Sequence, residues 1–193
     1  YADHSTEFLL YINASTNTNW SIENGESSTI RVIIDGENDF YNQDIVLYAG
    51  NEIHTYYCSL GHLDIGGHSI QFIFDYSKSS ITSEWVHIES INLVDINSLD
   101  IDSDVFIHSP ILYGRDLLSW NESTHTDIPL LMWHDISIQG TNKTITYSII
   151  FSNEDSRVGI GLSDLMFSYG RTTDIEWVYE VTLDINGEII DEK

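Results

Sequence analysis

The chain has 193 residues, of which 41% are hydrophobic and 12% aromatic, and it carries 31 Asp and Glu residues against 7 Lys and Arg. This composition is typical of a folded chain with room for one large β-sandwich or two small domains. The formal net charge of -24 excludes nucleic acid and anionic membrane surfaces as partners and favours cations, because phosphate-rich partners need clustered cationic side chains. No stretch of the sequence approaches the roughly 18 to 20 apolar residues of a membrane helix, so no membrane insertion is expected.

Alternation of apolar and polar residues predicts half-buried β-strands along the whole chain. The clearest examples are Ser69 to Asp75 and Thr144 to Ile149, which are rich in β-branched and aromatic residues. The remaining predicted strands, in chain order, are Phe8 to Ile12, Thr29 to Ile34, Ile45 to Tyr48, Ile53 to Ser59, Glu84 to Leu93, Leu130 to Ile138 and Ile175 to Asp184.

Turn dipeptides separate these strands at short intervals, and no segment shows a convincing helical stripe. The pattern predicts an all-β fold, an antiparallel β-sandwich or jelly roll, with two stacked sandwiches as the alternative. The turn signals are Asn24-Gly25, Asp35-Gly36, Gly66-Gly67, Gln139-Gly140 and Asn186-Gly187.

A run dense in carboxylates, residues 95–104, separates two strand-rich halves and predicts a boundary between two domains. Residues 1–98 would form a jelly-roll-like β-sandwich, and residues 99–193 a second β-rich domain. One continuous sandwich, with the run as a long connection, is the alternative.

The same run is the candidate metal site. Asp100, Asp102 and Asp104 alternate, with Asp95 and Asn97 just upstream, so in an extended segment their oxygens would project to one side. Calcium takes six to eight oxygen ligands in flexible geometry, which this spacing supplies in part. The run lacks the Gly and Glu positions of an EF-hand loop, and a solvated acidic linker is the alternative interpretation.

Aromatic rings are the second functional resource, because Trp and Tyr can stack on sugar rings and offer a polar edge. Trp20 and Trp120 lie in polar, loop-like contexts and are the candidate ligand-binding aromatics. Trp85, Trp133 and Trp177 lie in alternating strands, which predicts that they belong to the core.

Four Asn-x-Ser/Thr sequons, at Asn13, Asn19, Asn121 and Asn142, are candidate glycosylation sites. Together with the acidity and the start at Tyr1, which suits a mature product or an excised fragment, they predict an extracellular or cell-surface location. The single Cys58 excludes an intrachain disulfide and is expected to be a buried strand residue.

The segment LGHLDIGGHSIQFIFDYSKSSITSEWVHIESINL, Leu60 to Leu93, resembles the late strands of jelly-roll carbohydrate-binding modules. The resemblance implies a sandwich fold and a carbohydrate ligand, and it carries no ligand-contacting motif.

The second half resembles uncharacterised secreted proteins in the segments HSPILYGRD, TDIPLLMWHDI, IIFSNED and GRTTDIEWVYEVTLDINGE. Its block at residues 170–174 contains more polar residues than a packing role requires. Arg171 and Asp174 in this block are therefore candidate ligand-binding residues, with a structural ion pair of Arg171 as the alternative.

These observations predict an extracellular, non-catalytic, calcium-associated interaction module that binds carbohydrate or acts as an adhesin. The first alternative is a glycosylated structural subunit that assembles with other copies of itself into a surface filament or matrix, with the strand near residues 1–12 donated to a neighbour. The second is a polysaccharide-active enzyme, although the common hydrolase and nucleotide-binding motifs are absent from the sequence.

Overall fold

The computed structural model describes residues 2–22, 24–36, 42–112, 128–152 and 173–193. In these ranges the chain is all-β, with one short helix, Asp104–Ile107, and two 3₁₀ turns, Tyr76–Lys78 and Ile96–Ser98. The strands are β1 Thr6–Thr16, β2 Ser28–Ile34, β3 Gln43–Leu47, β4 His54–Leu63, β5 Ile70–Phe74, β6 Val86–Asp95, β7 Pro129–Gln139, β8 Asn142–Phe151, β9 Asp174–Leu183 and β10 Ile189–Glu192.

The chain divides into two compact units. Unit 1 comprises Tyr1–Ile107 with Ile111–His125, and unit 2 comprises His108–Pro110 with Thr126–Lys193. The division into folding domains at residues 98/99 stays a prediction, because these units describe packing and not independent folding.

Unit 1 is an antiparallel β-sandwich of two three-stranded sheets, with strand orders β4-β1-β6 and β3-β2-β5. Alternate residues of each strand meet in a shared core. From β1 come Leu10 and Ile12, and from β2 come Val32 and Ile34, all nearly inaccessible to solvent. Full burial of each such side chain contributes about 1.5–3 kcal/mol, so the core of unit 1 depends on the period-two pattern seen in the sequence.

The first strand, β1, is the centre of its own sheet and pairs along its length with β4 and β6. A strand paired on both sides within its chain has no backbone groups left for a neighbour. This structure therefore places residues 6–16 inside the chain's own sheet, in contrast to the hypothesis that the N-terminal strand is donated to another copy.

Unit 2 is one antiparallel sheet with the strand order β10-β9-β8-β7. The two-residue turn Gly140-Thr141 connects β7 to β8, and Gly140 adopts a φ of 64°, which glycine reaches without steric cost. The last strand, β10, was not expected from its short and partly charged sequence. No helix among the described residues is long and apolar enough to cross a membrane.

Candidate functional site

The sheet of unit 2 has two chemically different faces, which are distinguished by the residues of its central strand β8. Ile145, Tyr147 and Ile149 on β8 are almost completely buried, and so are their neighbours Val181 and Leu183 on β9. We call this side the core face. The even-numbered residues from Thr144 to Ile150 lie on the opposite side of β8, because successive side chains of a strand alternate.

Two tryptophans lie on this opposite side, at the same level of the sheet. Ser148 on β8 is directly opposite Trp133 on β7 and Trp177 on β9, so the three residues form one row across three strands. The two tryptophan backbones are two strand spacings apart, about 9.5 Å. Trp177 is 60% exposed and Trp133 is half-buried, whereas Ser148 between them is 8% exposed. We call this side the tryptophan face.

A β-bulge places Trp177 on the tryptophan face. Tyr147 pairs with Tyr179, but the next residue, Ser148, pairs with Trp177, so that Val178 is an extra residue without a partner across the strand. One inserted residue reverses the side on which all earlier residues of that strand emerge. Trp177 therefore leaves the side occupied by Tyr179 and Val181 and joins Ser148.

The tryptophan row separates an apolar part of this face from a polar part. On one side of it lies the row Leu131, Ile150 and Ile175, of which Leu131 is 57% exposed and Ile175 42%. On the other side lie two polar rows, which are Asp135, Thr146 and Glu180 followed by Ser137, Thr144 and Thr182.

The polar rows are held by hydrogen bonds between neighbouring strands. Thr146 Oγ1 donates to Glu180 Oε2 at 3.1 Å, and the hydroxyls of Thr144 and Thr182 are 3.0 Å apart. The ammonium group of Lys193 lies 2.9 Å from Glu180 Oε1 and, together with Thr146, holds the pKa of Glu180 below its ordinary value. Glu180 is therefore a fixed, ionised hydrogen-bond acceptor in the polar row beside the tryptophans.

Other polar groups of the face remain available. The Asp135 carboxylate makes no side-chain hydrogen bond or ion pair with any residue in the described ranges, and neither indole N–H of Trp133 or Trp177 donates to one. Indole N–H groups usually find a partner when they are buried. The face thus combines two aromatic rings with donors and acceptors that a bound molecule can use.

The candidate ligand-binding residues from the sequence do not come together in the described structure. Trp20 is 46% exposed, in the β1–β2 loop of unit 1, where its backbone N–H donates to the carbonyl of Tyr48. Asp174 begins β9 opposite Phe151, and its carboxylate accepts from the N–H of Ile175. Trp120 and Arg171 lie outside the described residues.

The assignment of the strand tryptophans to the core is wrong for Trp177 and for Trp85. Trp177 is turned out by the bulge, and Trp85, which precedes β6, is 40% exposed because it ends a loop and not a strand. Trp133 is half-buried on the tryptophan face. Val178 is the single apolar residue at an even-numbered position of β9, and it was the one sequence signal of a change of face.

The candidate calcium ligands occupy several short elements and not one extended segment. Asp95 ends β6, its Oδ1 accepts from the N–H of Asn97 at 2.8 Å, and its Oδ2 is 2.6 Å from Nε2 of His4. Asp100 is exposed, while Asp102 accepts from the N–H of Asp104 at the start of the short helix.

In the described ranges, no group of three or more His, Cys, Asp or Glu side chains converges as a metal ion would require. The calcium site stays a prediction.

Histidines and carboxylates pair at one end of the unit 1 sandwich. His68 Nδ1 lies 2.6 Å from Asp35 Oδ2, and His4 contacts both Asp3 and Asp95 at 2.6 Å. These carboxylates raise the pKa values of His68 and His4 above their ordinary value. The pairs connect the N-terminal segment and the ends of β2 and β6, which indicates a structural role.

The remaining sequence candidates are placed as follows. Asn13 lies in mid-β1, where its side-chain amide donates to Ser90 and accepts from Thr55. Asn19 lies in a loop and accepts from the N–H of Ser21, and Asn142 begins β8 after the hairpin turn. Asn121 lies outside the described residues, and glycosylation at all four sequons stays a prediction.

Cys58 is buried on β4, as expected from the sequence. Burial raises the pKa of its thiol to about 12, which removes the thiolate that nucleophilic chemistry needs.

The fold and this face together define an all-β protein with an aromatic platform on one side of a four-stranded sheet. No family model, curated protein or solved structure matches the chain. Its function is therefore inferred from the chemistry of the site alone.

Proposed function

We propose that this protein is a non-catalytic interaction module that binds carbohydrate on the tryptophan face of unit 2. The observation that carries the proposal is the row Trp133, Ser148 and Trp177 beside the polar row of Asp135, Thr146 and Glu180. A sugar ring has an apolar C–H face and a polar rim of hydroxyls. The tryptophan face offers a ring for the first and hydrogen-bonding groups for the second.

The carboxylates support binding better than hydrolysis. Asp135 and Glu180 flank Thr146 on the two neighbouring strands, and glycosidases also use a pair of carboxylates as acid and base. A glycosidase, however, needs one carboxylic acid whose pKa is raised so that it can protonate the leaving group. Lys193 and Thr146 hold the pKa of Glu180 low instead, so this residue accepts hydrogen bonds and does not deliver a proton.

The proposal is tested by affinity electrophoresis in gels that contain neutral polysaccharides. Loss of a stacked ring removes about 0.5–1.5 kcal/mol, so Trp133→Ala and Trp177→Ala should each weaken retardation several-fold, and the double variant should abolish it. Trp85→Ala is the matched control, because it removes an exposed ring from unit 1. Equal retardation of the wild type and all four variants would refute binding on this face.

Association with calcium is a second, separate part of the proposal, supported by the net charge of -24 and the carboxylates of residues 95–104. A bound ion stabilises the folded state by mass action, so calcium should raise the melting temperature and chelator should reverse the rise. The double variant Asp100→Asn with Asp102→Asn should lose this response. If calcium leaves the wild-type melting temperature unchanged, these carboxylates only solvate the surface.

A location outside the cell or on its surface completes the proposal and is supported by the sequons. A mass shift on enzymatic deglycosylation of protein isolated from its natural source would support it. An unglycosylated natural protein would remove that support.

Assembly with other copies remains a second candidate function, favoured by the exposed edge of unit 2. Strand β7 has 11 residues and, among the described strands, pairs with β8 alone, and its Ile136 and Ile138 are exposed. Such an edge is a template for pairing with another chain. Light scattering that rises with protein concentration, and that Ile138→Lys suppresses, would favour assembly, whereas a monomer at all concentrations would exclude it.

A further inference from the structure

The two tryptophans of the tryptophan face constrain the shape of the ligand. Their backbones lie two strand spacings, about 9.5 Å, apart across β8, with the small Ser148 between them. In an extended β-1,4-linked glycan, successive rings are flipped, so that every second ring presents the same face along a straight line. Such a chain can stack its first and third rings on Trp133 and Trp177 while the second ring lies over Ser148.

The orientation of the ligand follows from the division of the face. The polar row of Asp135, Thr146 and Glu180 runs parallel to the tryptophan row, across the strands. A glycan that crosses the strands along the tryptophans therefore has one hydroxyl-bearing edge beside these acceptors along its whole bound length. A chain with α-1,4 linkages curves into a helix, so its rings do not follow a straight row across the strands.

The charge of unit 2 constrains the chemistry of the ligand. Its described residues include eight carboxylates and two lysines, and Lys193 already contacts Glu180 and Asp191. Polyanions would meet Asp135 and Glu180 directly beside the tryptophans, and this repulsion is strong at low salt and screened at high salt. A glycan with uronic acid, carboxymethyl or sulfate groups is thus disfavoured.

We infer that the ligand class of this face is an extended β-1,4-linked polysaccharide without acidic groups, bound across β7, β8 and β9 with at least three consecutive rings. The inference rests on the proposed carbohydrate-binding function and narrows it in linkage, charge and length.

The experiment compares polysaccharides that differ in one property at a time. Hydroxyethyl cellulose and carboxymethyl cellulose share the β-1,4 backbone and differ in charge, and starch differs in linkage. We expect retardation in hydroxyethyl cellulose gels and about tenfold weaker retardation by carboxymethyl cellulose at low salt, with the difference shrinking as salt is added. Starch should bind weakly. Stronger binding of carboxymethyl cellulose or starch would overturn the inference.

Chain length is tested by titrating cellobiose, cellotriose and cellotetraose while tryptophan fluorescence is recorded. Affinity should rise by about three- to tenfold from cellobiose to cellotriose, when the second ring platform becomes occupied, and this step should disappear in Trp177→Ala. An equal affinity for cellobiose and cellotriose in the wild type would contradict a two-ring platform.

The outcomes separate this inference from the proposed function. If starch or carboxymethyl cellulose retards the wild type more strongly than hydroxyethyl cellulose does, and Trp133→Ala and Trp177→Ala abolish that retardation, the carbohydrate-binding function stands and the ligand class is wrong. If no polysaccharide retards the wild type, both are wrong. If light scattering shows that Trp177→Ala converts an oligomer into a monomer, the face is an interface between copies, and both are again wrong.

Discussion

The central strands of the two units use their outward-facing residues in opposite ways. In unit 1, Asn13 on β1 lies between Thr55 and Ser90, accepts from the first at 2.7 Å and donates to the second at 2.9 Å. In unit 2, Ser148 holds the corresponding central position between Trp133 and Trp177. The first row satisfies its polar groups internally, whereas the second leaves two rings for another molecule.

In the other sheet of unit 1, an outward-facing carboxylate is neutralised by two basic side chains. The Asp44 side chain on β3 is inaccessible to solvent and is paired with Arg31 at 3.1 Å and with Lys78 at 2.5 Å. Two of the seven basic residues of the chain are used at this one carboxylate. Arg31 and Lys78 therefore have a structural role at this buried carboxylate.

The largest expected effect is on the free energy of unfolding, and it distinguishes the two faces of β9. Leu183 is fully buried on the core face, so Leu183→Ala should lower the free energy of unfolding by about 2–5 kcal/mol. Trp177→Ala, on the exposed tryptophan face, should change it by about 0.5 kcal/mol or less. Chemical denaturation measures both. A loss for Trp177→Ala as large as that for Leu183→Ala would mean that Trp177 packs in a core.

The next largest effect is also on stability, and it distinguishes two carboxylates at outward-facing strand positions. Asp44→Asn keeps the shape of the side chain but leaves Arg31 and Lys78 without their anion, and should cost about 1–3 kcal/mol of stability. Asp135→Asn on the tryptophan face is the matched control and should cost about 0.5 kcal/mol or less. Equal values in chemical denaturation would contradict the structural role of Asp44.

The smallest effect concerns pH and the pair of His68 with Asp35. The pKa of His68 is raised by Asp35, so its contribution to stability is complete below the unfolded pKa of about 6.5 and is lost as pH rises through the folded pKa. The pKa of Asp35 is lowered by His68, so its contribution is present above about pH 4 and is lost as pH falls through the folded pKa.

The difference in melting temperature between the wild type and His68→Asn should therefore be largest between about pH 4 and 6.5 and should shrink toward pH 9. His87→Asn is the matched control, because His87 is exposed on β6 and makes no ion pair with any described residue. A constant difference across this pH range would show that the pair does not act through its charge.

Much of the fold was predictable because its strands follow simple alternation. Segments such as Ser69 to Asp75 and Thr144 to Ile149 alternate cleanly, and they correspond to β5 and β8. The turn signals at Asp35-Gly36 and Gly140 coincide with backbone conformations of positive φ. These features depend on neighbouring residues only, and local steric rules are already contained in the sequence.

The candidate site was not predictable in the same way, because it depends on pairing between distant strands. Strict alternation along β9 assigns Trp177 to the side of Tyr179, Val181 and Leu183, and thus to the core. The bulge at Val178 reverses that assignment, and it is defined by register with β8, about thirty residues earlier in the chain.

The sequence by itself determined the all-β class, most strand positions, the burial of Cys58 and the acidic surface, since these follow from local pattern and composition. Only the tertiary structure decided that Trp133 and Trp177 share one row, that Asp135 and Glu180 border it, and that the run from Asp95 to Asp104 is not one extended segment. The physical reason is that strand register and bulges arise from contacts between segments far apart in the chain, which no local pattern records.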